Sequence, residues 1–305
     1  MGEKSQLVVE GKKLAVSNLN KVLYPKAGFT KGQVIDYYIR IAPVLLPHLR
    51  DRPLTMKRYP NGVDAEFFYE KNCPTHRPNW VKTAKVWSHG NNRMMDFCLA
   101  QDLPTLVWAA NLADLELHTS LARKRDVARP TMMVFDLDPG PPANIVQCCQ
   151  VGLWLRDLLA AMKLKSFPKT SGSKGLQVYV PLNTPVTFDQ TKELSLALAQ
   201  LLEREHPKLV LSKMAKALRT GKVFVDWSQN DEHKTTVCVY SLRAKEEPTV
   251  STPVEWDEVE RCLKKKKPDL LKFRSDQTLA RVEKLGDLFE PVEALKQKLP
   301  KKWKL

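Results

Sequence analysis

Apolar and polar positions alternate along several short segments of the chain, as is typical of β-strands. In the segment 114–118 the two leucines fall on one face, and the other face carries Asp114, Glu116 and His118. This follows because successive side chains of a strand point to opposite sides. The same analysis predicts strands at 134–138, 176–181 and 223–226. The pattern therefore predicts strands, one of which carries a polar face.

Helical periodicity occurs between these runs. Thr30 to Gln33 has the form of a capping box, and apolar residues then recur at helical spacing as far as Pro43. Further helices are predicted around 151–162 and 194–201. The order is an alternation of strands and helices with antiparallel insertions, without an internal repeat or a convincing linker.

The charge balance favours an anionic partner. The chain has 305 residues, with 49 Lys and Arg against 34 Asp and Glu, a formal net charge of +15. Nucleic acid is the leading candidate, although a basic surface also serves solubility alone. Lysines cluster at 264–267 and 296–304, where a solvated charge run is the simpler interpretation.

The sequence indicates a cytoplasmic protein. No apolar run approaches the length of a membrane span, and no signal-peptide core follows the charged start. The six cysteines form no Cys-x-x-Cys pair. We therefore interpret them as reduced packing residues rather than a zinc ribbon or a disulfide framework.

Three acidic residues close predicted strands. Asp136 and Asp138 are one residue apart, so both face the same side while Leu137 points into the core, and Asp226 closes another apolar run. Such carboxylates repel each other, and a hard divalent cation such as Mg²⁺ or Mn²⁺ relieves that repulsion. Three of them suit a pair of ions that supports phosphoryl transfer. The alternative for the first pair is a plain Asp-Pro-Gly turn.

Two further segments suit binding of phosphates and bases. The loop 170–175 combines small residues with Ser171 and Lys174, and its backbone N–H groups suit an anion, although a flexible turn explains it equally. Phe67 and Phe68 follow soon after Lys57. Aromatic rings between cations suit stacking on bases, but one of two adjacent phenylalanines usually belongs to the core.

The motifs together resemble the polymerase domain of bacterial multifunctional DNA ligase D and its stand-alone archaeal and bacterial relatives, within the archaeo-eukaryotic primase superfamily. The resemblance extends from near residue 10 to near residue 290. The strings that carry it lie at residues 18–25, 52–58, 115–118, 135–140, 171–175, 225–230 and 240–243.

The resemblance implies an α+β fold, in which a primase-type catalytic core with a sheet of the RNA-recognition-motif kind lies beside an N-terminal α/β portion. We expect a single polymerase domain over residues 1–305. Its portions would be an N-terminal α/β part that binds DNA ends (1–110), the catalytic core (111–250) and a basic helical segment (251–305).

The resemblance also assigns roles. Asp136, Asp138 and Asp226 would be the catalytic residues and would bind two Mg²⁺ or Mn²⁺ ions. Lys21 and Lys31 would bind a 5′-phosphate on the downstream strand, and Arg219 would position the primer terminus. The residues expected to contact the incoming nucleotide are Lys57, Phe67 or Phe68, His118, Ser171, Lys174, Gln177, Gln229 and Arg243.

One position departs from the family. Gln177 stands where the family usually has a histidine that is expected to contact the triphosphate. Glutamine donates a neutral hydrogen bond, whereas a protonated imidazole gives a charge-assisted one. On this reasoning Gln177→His would raise catalytic efficiency.

We therefore expect a template-directed polymerase that fills gaps and extends ends in double-strand-break repair by end joining, with a preference for ribonucleoside triphosphates. Its partners would be DNA ends or gaps with a 5′-phosphate, a Ku-type end binder and a separate DNA ligase. It would work in the cytoplasm at the nucleoid. The alternatives are a non-catalytic end-binding or scaffold relative and, with a poor match at Gly140, a haloacid-dehalogenase-type Asp-x-Asp phosphatase.

Overall fold

The computed structural model describes residues 4–88 and 92–300 of the chain. The charged start at residues 1–3 and the part of the predicted basic tail beyond residue 300 lie outside the described residues. The described part of the chain divides into two compact units. Of the described residues, the first unit contains 4–88, 92–125, Thr235–Ser251 and Arg274–Gly286, and the second contains Asp126–Lys234, Thr252–Phe273 and 287–300. The divisions expected at residues 110 and 250 stay predictions.

The first unit is built on a mixed arrangement of strands and helices. Its main sheet has the strand order β17-β9-β5-β8-β7, with β6 paired to β5. Its strands are β1 (Lys4–Val9), β2 (Lys12–Ser17), β3 (Val22–Tyr24), β4 (Phe29–Thr30), β5 (Leu54–Arg58), β6 (Phe68–Glu70), β7 (Thr83–Ser88), β8 (Arg93–Cys98), β9 (Asp114–Thr119), β10 (Ala122–Arg123) and β17 (Thr236–Val237), and its helices are α1 (Lys31–Leu49), α2 (Leu103–Asn111) and α6 (Ser275–Leu285).

Helix α1 begins as the sequence predicts but ends later. Thr30 and Gln33 form the capping box, each side chain bonded to the other's backbone N–H. The expected end at Pro43 is wrong, because the helix continues through Pro43 and Pro47 to Leu49. Burial of Ala42, Leu45 and Leu49 on the same apolar face stabilises these turns against the helix-breaking effect of proline.

The second unit contains an almost wholly antiparallel sheet with the order β13-β14-β12-β16-β15. Its strands are β11 (Asp126–Pro130), β12 (Met132–Pro139), β13 (Phe167–Thr170), β14 (Leu176–Pro181), β15 (Val210–Leu211) and β16 (Val223–Asp226), and its helices are α3 (Ile145–Ala161), α4 (Phe188–Glu205), α5 (Trp256–Lys265) and α7 (Glu290–Ala294).

Helices α3 and α4 cover one face of this sheet and form its core. Phe135, Leu137, Val178 and Val225 point into that core and are fully buried. Since side chains alternate across each strand, the intervening residues face the opposite side. Polar groups at the ends of these strands are therefore gathered on the face away from the helices.

The expectation that all six cysteines are reduced is wrong. Cys73 and Cys98 form a disulfide with a Cα–Cα distance of 5.0 Å, in the first unit. Cys98 ends strand β8, and the N–H of Cys73 donates to the carbonyl of Asp96 in the same strand. The fold brings these two cysteines together. Their separation of 25 residues in the sequence does not predict that they pair. The described free cysteines, Cys148, Cys149, Cys238 and Cys262, are buried as expected.

Over the described residues, no helix combines the length and apolar character that crossing a membrane requires.

Candidate active site

The three acidic residues of the predicted metal site lie on one face of the sheet in the second unit, and we call them the carboxylate cluster. Asp136 on β12 is the direct register partner of Asp226 on β16. Asp138 lies two residues further along β12, on the same side, and Leu137 between them is fully buried. The sequence prediction that the acids share a face and that Leu137 enters the core is confirmed.

Repulsion within the carboxylate cluster is visible at Asp136. Burial raises the pKa of its carboxyl to about 6, and the charges of Asp226 and Asp138 act in the same direction. A hydrogen bond from Gln177 and the charge of Lys169 oppose this rise without cancelling it. Cross-strand carboxylates in partial burial are unfavourable without a counter-charge, so this face is suited to a cation.

The other two acids are held by neighbouring side chains. Asp138 accepts from Arg219 at 2.9 Å and pairs with Lys174 at 3.0 Å. Asp226 accepts from the hydroxyl of Ser228 at 2.6 Å and from Nε2 of Gln229 at 2.9 Å. Gln229, a predicted nucleotide contact, is thus anchored directly on a member of the carboxylate cluster.

The residues fit a divalent metal by chemistry, although their side chains do not form a complete ligand set as they stand. Within the described residues, no three His, Cys, Asp or Glu side chains are gathered closely enough to hold a metal ion together. The carboxylate of Asp138 is turned toward Lys174 and Arg219. All three acids offer hard oxygen donors, which Mg²⁺ and Mn²⁺ prefer. A metal would compete with these two basic side chains for Asp138.

The loop expected to bind phosphate is tightly organised around Ser171. Its hydroxyl accepts from the N–H of Ser173 at 3.2 Å and of Gly175 at 3.1 Å. Gly175 lies so close to β12 that a Cβ there would come within 2.2 Å of the carbonyl of Leu137, so only glycine fits. Lys174 stays largely exposed beside the carboxylate cluster. Binding of an anion by this loop stays a prediction.

Arg219 is fixed to the end of β12 by a close approach of two backbones. A Cβ at Gly140 would lie 1.9 Å from the carbonyl of Arg219, and Gly140 bridges Thr220 in parallel fashion. The guanidinium lies 4.0 Å from the ring centroid of Phe224. This fixes Arg219 beside Asp138, while its role at a primer terminus stays a prediction.

Gln177 lies on the face expected from strand alternation, but it is deeply buried. It is the register partner of Asp136 on one side and of Lys169 on the other. Its side chain is 2% exposed and accepts from Lys169 at 2.5 Å. A contact between Gln177 and a triphosphate stays a prediction.

In the first unit, Lys57, His118 and Arg243 surround the buried carboxylate of Glu116, and we call these three the basic cluster. Glu116 is 1% exposed. Its oxygens lie 3.0 Å from Nε2 of His118, 3.4 Å from Nζ of Lys57 and 3.4 Å from Nε of Arg243. The N–H of Ala244 donates to it at 3.0 Å. Three of the residues predicted for nucleotide binding in this unit are therefore brought together by one acid.

The electrostatics of the basic cluster depend on that acid. Burial acts to raise the pKa of Glu116, but the hydrogen bond from His118 and the charges of Arg243 and Lys57 hold it well below its ordinary value. Burial lowers the pKa of His118 and of Lys57, and Glu116 acts against both shifts. The cluster therefore carries net positive charge around a buried anion, which suits a phosphate ligand.

The expectation that one of Phe67 and Phe68 belongs to the core is wrong, because the rings are 48% and 44% exposed. Strand β6, which pairs with β5, begins at Phe68, and Phe67 lies directly before it. Phe67 lies 4.3 Å from Nζ of Lys57, measured to the ring centroid, whereas Phe68 lies 5.0 Å from the guanidinium of Arg58. Phe67 is thus the phenylalanine on the side of the basic cluster.

Lys21 and Lys31 are neighbours in the first unit. Lys31 is buried and donates to the carbonyl of Ser17 at 2.7 Å, and Lys21 donates to Asn61 at 2.9 Å. Burial, followed by the charges of Lys21 and Arg58, lowers the pKa of Lys31 to about 8. An ammonium in this setting is stabilised by an anion, in keeping with the predicted 5′-phosphate site.

Two residues of these clusters were not predicted. Glu116 shares the polar face of β9 with His118, so the alternation already indicated its position, but nothing in the sequence indicated its partners. Lys169 belongs to β13 and is fully buried. No sequence signal distinguishes it from the many surface lysines.

Comparison with known proteins identifies the family. Residues 30–289 match the family described as "LigD, primase-polymerase domain". The chain is 40% identical over 284 residues to the multifunctional non-homologous end joining protein LigD of Mycolicibacterium smegmatis, which covers 92% of this chain and 36% of the relative. For the bifunctional LigD protein of Bacillus subtilis, identity is 32% over 300 residues, with 95% and 47% covered. The chain thus spans between about a third and about half of the length of these relatives.

A solved structure supports the same family assignment. The polymerase domain of ligase D from Mycobacterium tuberculosis, in complex with DNA, matches with a TM-score of 0.86 and 40% identity, covering 93% of this chain and 99% of that one. This confirms the expected α+β fold of the primase type and excludes the phosphatase interpretation. The chain accordingly belongs to the LigD primase-polymerase family and is a nucleotidyltransferase of the polymerase type.

Proposed function

We propose that this chain fills gaps and extends aligned DNA ends in double-strand-break repair by end joining, as a template-directed polymerase that prefers ribonucleotides. The observation that carries the chemical part is the register pair Asp136 and Asp226, with Asp138 on the same face. The end-joining role rests on the names of the relatives, and the sugar preference rests on the family resemblance alone.

The carboxylate cluster would hold two Mg²⁺ or Mn²⁺ ions, which supply activation of the attacking oxygen and support of the leaving phosphate. Lys174 and the backbone of the loop at Ser171 would bind the triphosphate. Arg219 would position the primer terminus, and Gln229 would orient Asp226 while contacting the nucleotide.

In the first unit, the basic cluster would recognise phosphate and sugar groups of the nucleotide, and Phe67 would stack on a base. Lys21 and Lys31 would hold the 5′-phosphate on the downstream side of a gap. DNA is the proposed ligand because the related polymerase domain was solved in complex with it. A Ku-type end binder and a DNA ligase are the proposed partners, and the nucleoid in the cytoplasm is the proposed location.

The test is primer extension on a gapped, 5′-phosphorylated duplex with Mg²⁺ or Mn²⁺. We expect addition of one or a few nucleotides, with higher efficiency for ribonucleotides than for deoxyribonucleotides. Asp136→Ala and Asp138→Ala should abolish addition while leaving DNA binding largely intact, because other residues contact the phosphates. Asp157→Ala, an exposed acid of the same unit, is the matched control.

Each outcome has a separate meaning. Near-normal extension by either variant contradicts the assignment of the carboxylate cluster. A clear preference for deoxyribonucleotides contradicts the proposed substrate. Tight binding of DNA ends without extension under any condition favours the second candidate, a non-catalytic end-binding protein, for which the departure at Gln177 is the specific observation.

A further inference from the structure

A fully buried lysine lies on the same sheet face as the carboxylate cluster. Lys169 is 0% exposed. It belongs to β13, whose outer side is covered by the segment 252–254, since Thr170 donates to the carbonyl of Thr252 and Val254 donates to that of Pro168. Burying an ammonium is costly unless hydrogen-bond acceptors and negative charge compensate it. For Lys169, the acceptor is the side chain of Gln177, which in turn hydrogen-bonds Asp136.

Lys169, Gln177 and Asp136 form one row across three neighbouring strands. Lys169 is the register partner of Gln177, and Gln177 is the register partner of Asp136. Directly opposed residues of paired strands carry their side chains on the same face, about 5 Å apart. Gln177 therefore stands between the lysine and the acid.

The chemistry of the three groups fixes the orientation of the amide. An ammonium has only donors and an ionised carboxylate has only acceptors. The carbonyl oxygen of Gln177 accepts from Nζ of Lys169 at 2.5 Å, and the amide also hydrogen-bonds Asp136. The NH₂ group therefore faces the carboxylate. A flipped amide would place its NH₂ donors against the ammonium of Lys169 and its carbonyl oxygen against the carboxylate of Asp136.

We propose that Lys169 and Gln177 are positioning residues for Asp136: the lysine orients the amide, and the amide orients the carboxylate for the metal. The inference rests on the proposed function, since it concerns the metal-binding acid of the polymerase. Groups that hydrogen-bond a metal ligand commonly change metal affinity by about 10–100-fold when removed.

The arrangement gives the departure at Gln177 a physical explanation. A neutral imidazole has one acceptor and one donor nitrogen, so a histidine here makes the same two hydrogen bonds. The neighbouring ammonium disfavours a second positive charge. Glutamine in this chain is thus an equivalent bridge, and the gain expected for Gln177→His from a charged imidazole is replaced by near-equivalence of the two residues.

A double-mutant cycle on Mn²⁺ affinity tests the row. Free Mn²⁺ is measured by electron paramagnetic resonance for the full chain, Lys169→Met, Gln177→Leu and the double variant. Loss of the lysine charge changes Mn²⁺ affinity by itself. This direct electrostatic contribution is the same with and without Gln177, so it cancels when the cycle is closed. We expect Gln177→Leu to weaken affinity about 10-fold or more, and a coupling of about 5-fold between the two sites. Additive effects would overturn the inference.

Kinetics give a second readout. Gln177→Leu should lower kcat with little change in KM for the nucleotide, and Gln177→His should recover most of the loss. A rise in KM alone would assign Gln177 to the triphosphate and overturn the positioning role. Lys165→Met, an exposed lysine ahead of β13, is the matched control.

Thermal unfolding of each variant accompanies these measurements. If Lys169→Met does not fold, the comparison of Gln177→Leu with Gln177→His decides, and equal Mn²⁺ affinity for wild type and both variants overturns the inference. Because Mn²⁺ affinity is read without catalysis, a chain that shows the coupling but extends no primer contradicts the proposed function alone.

Discussion

At the scale of single residues, Glu116 determines how the basic cluster is held. Its carboxylate is buried and contacts the side chains of Lys57, His118 and Arg243. The charged groups of Lys57 and Arg243, placed this close together, repel each other unless an anion lies between them, and the lowered pKa of His118 favours a neutral ring beside them. Glu116 is therefore a requirement of the cluster, and its role is structural and electrostatic rather than catalytic.

Glu116→Ala should lower the free energy of unfolding by about 3–5 kcal/mol, because it leaves buried cations without their anion. Glu116→Gln keeps the shape and should cost less. Urea unfolding at neutral pH measures both. Glu66→Ala, an exposed acid of the same unit, should stay within about 0.5 kcal/mol of wild type. Equal stability of Glu116→Ala and Glu66→Ala would contradict the role of Glu116 as the central anion.

The lowered pKa of Lys31 gives a second prediction at this scale. Its pKa of about 8 lies below its ordinary value of 10.5, so the ammonium is lost as the pH rises through about 8. The preference for a 5′-phosphate should therefore decline between about pH 7 and about pH 9. The sign for stability is the opposite: the unfolded state binds more protons in the window from about 8 to 10.5, so this residue makes folding more favourable there as pH rises.

The measurement is the ratio of Kd values for gapped duplexes with a 5′-hydroxyl and with a 5′-phosphate, taken across that pH range. Lys31→Ala should give a smaller ratio that lacks the decline between about pH 7 and about pH 9, and Lys12→Ala, an exposed lysine of β2, should follow wild type. A ratio in wild type that is constant across the range would show that Lys31 does not supply the charge that recognises the phosphate.

At the scale of elements, the start of β6 separates two adjacent phenylalanines, because Phe67 directly precedes the strand and Phe68 is its first residue. Phe67 packs beside Lys57 and Tyr59, with ring centroids of Phe67 and Tyr59 5.2 Å apart. Phe68 faces Arg58 instead. Within the strand, alternation places Phe68 and Tyr69 on opposite sides, and Phe67 lies with Tyr69 on the side of Lys57.

Phe67→Ala should raise KM for the nucleotide roughly 5-fold or more, since stacking of an aromatic ring on a base contributes about 1–3 kcal/mol. Phe68→Ala is the control on the other face and should change KM little. Steady-state extension with both variants checks this. A larger effect from Phe68→Ala would mean that the strand presents its other face to the nucleotide.

The elements also show what periodicity can predict. Strands β14 and β16 begin and end where the alternation placed them, at Leu176–Pro181 and Val223–Asp226. Each has an apolar side that must be buried, and that requirement is local. The end of α1 was missed because burial of its last turns against other elements outweighs the local effect of two prolines.

The candidate site was predictable as far as its chemistry is written in short motifs. Asp136, Asp138 and Asp226 share a face because two of them belong to one strand and the third closes a neighbouring strand. Lys169 and the disulfide between Cys73 and Cys98 depend on which strands become neighbours. Such contacts are formed by chain topology, so a pattern along the sequence does not contain them.

At the scale of the whole molecule, the formal charge of +15 separates general attraction from recognition. A basic chain binds any duplex by releasing counterions, and that binding falls steeply with salt. A phosphate held by specific lysines, as proposed for the exposed Lys21 and the buried Lys31, adds a contribution confined to one group of the ligand. General attraction and recognition of the 5′-phosphate respond differently to substitution of lysines. Binding measurements on lysine variants can therefore separate them.

The affinity of the whole chain for a gapped duplex should fall with salt for both the 5′-phosphate and the 5′-hydroxyl ligand. A plot of log affinity against log salt concentration should give one line for each ligand, with the 5′-phosphate line above the other. Lys21→Ala with Lys31→Ala should bring the lines together while reducing each slope by no more than about two, since each phosphate contact contributes about 0.9 to the slope. Lys264→Ala with Lys265→Ala, on the exposed side of α5, should leave the separation between the lines intact. If this second pair also merges the lines, discrimination of the 5′-phosphate is a property of overall charge, and Lys21 and Lys31 are surface charge like the rest.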